Sequence, residues 1–91
     1  MAIQKGDLIM IAIPPINRTQ IFSYSLLLET TAALDAKLEF ILNSPDIRLV
    51  SHSVSVVVET ISAIDEVNYL LIVNFRQKNK TKAQFIADLI L

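Results

Sequence analysis

One glycine and three prolines in 91 residues leave this chain few places to turn tightly, because Gly supplies positive φ freely and Pro pre-sets the φ of a turn. Such a chain has to be built from a few long elements. Those elements are unusually apolar: 53% of residues are hydrophobic and mean hydropathy is +0.51, against roughly 45–50% apolar in ordinary globular domains even with glycine counted. That excludes a disordered chain, which lacks the apolar surface to offset the cost of ordering. The length suits one domain, 1–91, with one core. A domain this small hides only about 60–65% of the surface of its unfolded chain, so some of its apolar side chains are expected to be left for a partner.

Hydrophobic period assigns the elements. Leu8–Ile13 is a short β-branched run closed by Pro14-Pro15, as a buried strand reads. Residues 20–28 alternate Phe22, Tyr24, Leu26 and Leu28 with Ser23 and Ser25; the stretch also fits helical spacing, but its serine and aromatic content favours a strand. Thr31–Asn43 carries Leu34, Leu38, Ile41 and Leu42 on one face, which predicts a helix that Pro45 ends by disfavouring helical geometry at Ser44. Ile47–Thr60 follows as the clearest strand, with Val50, His52, Val54, Val56 and Val58 on the face read as core and Ile47, Leu49, Ser51, Ser53, Ser55, Val57 and Glu59 on the other. A turn over Ser62–Glu66 and a strand over Val67–Gln77 complete a hairpin. Thr81-Lys82-Ala83-Gln84 matches the capping box that opens a helix, with Phe85, Ile86, Leu89 and Ile90 as its apolar face.

The order β-(β)-α-β-β-α predicts an α+β fold: a small, mostly antiparallel sheet with two helices packed on one face. That layout is compatible with one related to the ferredoxin-like arrangement, and no motif specifies a family. A strand of about 12 residues spans about 40 Å, whereas a helix of about 13 residues covers only about 20 Å. The hairpin is expected to overhang its helix.

Catalytic chemistry is not expected. His52 is the only histidine and the chain has no cysteine, so no zinc set can form. Ser51 and Ser53 flank His52, but neighbours on a strand point to opposite faces and cannot form a triad contact; a pH-sensitive contact is the remaining role for this imidazole. Asp35 and Glu39 share a solvated helix face and Asp65-Glu66 a turn. Gly6 is the only glycine, which rules out the common nucleotide-cradling loops. We therefore expect no metal, no cofactor and no enzyme.

The longest apolar runs, Leu8–Ile13 and Tyr69–Val73, fall far short of the roughly 20 residues a spanning helix needs. The first seven residues combine Lys5 with Asp7 and no small-residue cleavage site follows, so no export signal is read and a cytoplasmic or virion location fits. A net charge of −1 supplies no general attraction to nucleic acid or anionic lipid.

Two clusters remain. Arg76, Lys78, Lys80 and Lys82 alternate with no acid between them; on a continuing strand they would aim together at an anion. Leu49, Ser51, Ser53, Ser55 and Val57 form a stripe of mostly small side chains that allows a close sheet or subunit contact. The function expected is a non-enzymatic structural or protein-interaction module, a homo-oligomer meeting through its long hairpin or uncovered sheet face. The alternatives are a nucleic-acid accessory protein using residues 76–82 and a small-molecule-binding regulatory domain.

Overall fold

The computed structural model describes residues 16–91; the strand expected at Leu8–Ile13 lies outside them. The chain runs β1 (Ile21–Leu28), α1 (Thr31–Asn43), β2 (Ile47–Ile61), β3 (Ile64–Gln77) and α2 (Lys82–Leu89). The three strands form one antiparallel sheet in the order β1-β3-β2, so the architecture is α+β. Since β1 and β2 both oppose β3, they run parallel to each other, and α1 is the crossover between them.

Local chemistry sets the ends of the elements. Asn17 opens β1 with its side-chain carbonyl, which accepts from the Thr19 N–H (2.9 Å), the Thr19 hydroxyl (2.9 Å) and the Gln20 N–H (3.1 Å). Thr30 caps α1, its hydroxyl accepting from the Ala33 N–H at 3.0 Å. Ser44, just before Pro45, is extended at φ −71°, ψ 123°. The capping box at Thr81 is formed in both directions, Gln84 N–H to the Thr81 hydroxyl at 3.3 Å and Thr81 N–H to the Gln84 side chain at 2.9 Å.

The core lies on one face of the sheet. Leu71, Val73 and Phe75 of β3 are fully buried under Leu34 and Ile41 of α1 and Phe85 and Leu89 of α2. Phe75 is its centre, with ring centroids 4.8 Å from Phe85 and 6.1 Å from Phe22; such aromatic clusters add to their area of burial. Leu42, expected on the inner face of α1, is exposed. Phe40 instead turns its ring along Phe85, at 5.9 Å.

Three readings of the hairpin need correction. The turn is not Ser62–Glu66 but the two residues Ser62 and Ala63, with Ile61 opposite Ile64. Both have positive φ, 52° and 65°, the twist that a two-residue hairpin turn needs to match its strands. Next, β2 carries a bulge at Val50: Leu49 pairs with Phe75 and Ser51 with the adjacent Asn74. The extra residue reverses the alternation, putting Ile47 and Leu49 on the helix side together with His52, Val54, Val56 and Val58. Finally, that valine face is not core. Val54, Val56 and Val58 are 41%, 61% and 58% exposed, because the helices stop short of them. At about 3.3 Å per residue the 15 residues of β2 extend about 50 Å. The 13 residues of α1 extend about 20 Å, and the molecule measures 72 × 26 × 20 Å.

At the helix-covered end, Lys80 joins three segments. Its ammonium lies 3.4 Å from Asp46 and 2.6 Å from Asp88, tying the start of β2 to α2. The Asp88 hydrogen bond, followed by the attraction of Asp46, raises its pKa above the ordinary 10.5. A group with a raised folded-state pKa contributes stability that is complete below its unfolded pKa and lost as pH rises through the folded one. Lys80→Met is therefore expected to lower the melting temperature by an amount constant from neutral pH up to 10.5 and to converge on the wild type as pH rises through the raised pKa of Lys80. A gap that stays constant through strong alkali would show that the ion pairs contribute nothing.

Candidate interaction surface

The sheet face opposite the helices is uncovered in the described residues. Register places Ile21, Ser23, Ser25 and Leu27 of β1 beside Arg76, Asn74, Ile72 and Leu70 of β3, and these beside Arg48, Ser51, Ser53 and Ser55 of β2. Serines on the two outer strands thus flank a central row in which Leu70 and Ile72 are half-buried. The Ser23 hydroxyl donates to the Asn74 side-chain oxygen, and the Asn74 amide donates to the Ser51 hydroxyl at 3.0 Å, a polar bridge across all three strands. Of the expected stripe, Ser51, Ser53, Ser55 and Val57 share this face. Leu49 does not, since the bulge turns it onto the helix side, where it packs against the core.

The hairpin tip is a second apolar surface. Val54, Val56, Val58 and Val67 emerge on the helix side, and Ile61 and Ile64 close the end at 52% and 68% exposure. The third feature is the outer edge of β2, which among the described residues is hydrogen-bonded on one side only. Proteins blunt such edges with Lys, Pro, short strands or repeated bulges. Here the stretch Ser51–Ile61 is regular and has neither Lys nor Pro.

The basic run is dispersed, because β3 ends at Gln77 and the alternation that would have aligned the cations ends there too. Arg76 lies on the bare face, its buried Nε without a partner among the described residues. Lys78 is exposed, and its carbonyl accepts from Arg18 Nε at 3.1 Å. The charge of Lys80 is shared between Asp46 and Asp88, and Lys82 sits 5.5 Å above the Phe22 ring on the helix side. What the register assembles instead is a different set: Arg18, Arg48 and Lys78 line an open groove of about 380 Å³ at the hairpin base, next to Arg76. The opposite end is acidic, with Glu59, Asp65 and Glu66 beside the turn.

Register also exposes two pairings the linear sequence does not disclose. Arg48 stands directly opposite Arg76, and Glu59 directly opposite Glu66. Like charges in opposed positions on one face repel. Among the described residues the ion pairs are those of Lys80 alone, so none of these residues offsets either repulsion.

Among the described residues no group of His, Cys, Asp or Glu could hold a metal ion, and no helix is long and apolar enough to cross a membrane. No family model matches the chain, and no curated protein or solved structure is significantly similar to it.

Proposed function

We propose that this protein is a non-enzymatic structural or interaction module that assembles with further copies of itself through the long hairpin. The observation that supports this reading is the overhang: four apolar side chains on the helix side of the sheet, Val54, Val56, Val58 and Val67, stand at 41–61% exposure beyond the reach of the helices, and Ile61 and Ile64 are exposed on the opposite face at the tip. A contiguous apolar surface of that kind marks an interaction site, and the small serines on the opposite face of β2 permit close approach there. Light scattering at micromolar concentration is expected to report a mass at least twice the 10.2 kDa of one chain.

A second reading, anion or nucleic-acid binding, draws its support from the basic groove at the hairpin base rather than from residues 76–82 as a run. It predicts retardation of a nucleic-acid probe at low salt. Arg48→Gln with Lys78→Gln should reduce the salt slope of binding by about 0.7–0.9 for each phosphate that is no longer neutralised. No retardation at low salt disposes of it.

A further inference from the structure

We infer that the partner of the β2 edge is the β2 edge of a second copy, antiparallel and centred on Val54, so that two three-stranded sheets become one continuous sheet of six. This rests on the self-assembly reading and adds the surface and register to it.

Charge selects the partner. The hairpin is a dipole with Arg48 and Arg76 at its base and Glu59 and Glu66 near its tip, each pair repelling itself across β2 and β3. Antiparallel addition of a second β2 sets the base of one copy against the tip of the other and offsets both repulsions. The β1 edge offers no such choice: it has eight residues, none of them charged.

Register follows from the bulge. Opposed residues in an antiparallel pair share a face, so Ser51, Ser53, Ser55 and Val57 must meet one another. Centring on Val54 does this, with Ser53 opposite Ser55 and Ser51 opposite Val57. On the helix side Val54 meets its own copy and His52 meets Val56. The extra residue at Val50 then shifts the pairing by one, bringing Leu49 opposite Val58 and Arg48 opposite Glu59. A slip of two residues in either direction separates that ion pair. The exposed valines of each tip meanwhile come alongside the helix-covered base of the other copy. The contact is isologous and closes at two copies instead of growing into a filament.

The chain has no cysteine, so one introduced thiol reports the register without background. Val54→Cys places two thiols at opposed positions on the dyad, about 4.5–5.5 Å apart at Cα and within disulfide reach; mild oxidation should give a covalent dimer, and Ile61→Cys should not. Arg48→Glu should weaken association by about 10-fold or more, because two symmetric attractions become repulsions, while its thermal unfolding should not fall, since Arg76 gains an opposite charge. Adding Glu59→Arg should restore association. Val57→Lys, on the bare face opposite a serine, should leave association within about 2-fold. Should Val57→Lys disperse the assembly while Val54→Cys stays uncrosslinked, the contact is the bare face: the edge inference falls and the assembly reading stands. A wild-type protein that is monomeric throughout overturns both.

Discussion

Phe75→Ala should cost about 3–5 kcal/mol of folding stability, the range for emptying a buried aromatic site. The residue is 0% exposed and touches both sides of the core: Phe85 from α2 lies 4.8 Å away on the helix side of the sheet and Phe22 6.1 Å away on the neighbouring strand. Neither neighbour can close the gap easily, because Phe22 is fixed by its pairing to β3 and Phe85 by the capped first turn of α2. Domains of this size have only about 5–15 kcal/mol in total, so the variant should lose a large share of its denaturant resistance. Urea unfolding at constant slope checks this. Phe40→Ala is the comparison: its ring also lies against Phe85, at 5.9 Å, but it is 37% exposed and its removal should cost clearly less. Equal losses would mean that the core is not centred on β3.

Ser62→Asn with Ala63→Gly should raise stability by about 1–3 kcal/mol. Both positions hold positive φ, 52° and 65°, and for residues with a Cβ that region costs roughly 1–2 kcal/mol each. Asn and Gly accept it with little strain, and are the pair most favoured in two-residue hairpin turns. For a domain of this length the gain corresponds to a rise of several degrees in melting temperature, at about 4–8 °C per kcal/mol. The strand pairing that flanks the turn, with the Thr60 hydroxyl 2.7 Å from the Asp65 carboxylate, should be unchanged. Ala63→Val should act in the opposite direction, since a β-branched side chain suits this region worst. No change from either variant would show that the turn adopts another conformation in solution.

How far the sequence disclosed the fold depends on whether the deciding physics was local. The end of α1 and the start of α2 were legible because Pro45 and the Thr81–Gln84 box act within four residues of themselves. The alternation of Phe22, Tyr24, Leu26 and Leu28 correctly favoured a strand over a helix. The bulge at Val50 was not legible: nothing in the local pattern distinguishes it from its neighbours, and it is visible only when Leu49 and Ser51 are set against Phe75 and Asn74. From that one residue follow the displacement of Leu49 from the serine stripe and the opposition of Arg48 to Arg76. The overhang was legible from lengths alone. Its consequence for Val54, Val56 and Val58 was missed because an alternating valine row reads as core whether or not anything covers it. The basic run failed as a unit because β3 ends at Gln77, whose buried side chain donates to the Asn17 carbonyl at 2.7 Å and accepts from the Lys82 N–H at 2.6 Å. That link turns the chain into α2 and sends Lys80 and Lys82 apart.

Among the described residues the bare sheet face, the valine tip and the unpaired β2 edge are all features of one hairpin, and self-assembly through it is the claim on which the functional account stands. Sedimentation velocity on the wild-type protein, diluted through the micromolar range, addresses it most directly. The account predicts a concentration-dependent boundary that reaches at least twice the 10.2 kDa chain mass. A single monomer boundary, unchanged at every concentration, contradicts it.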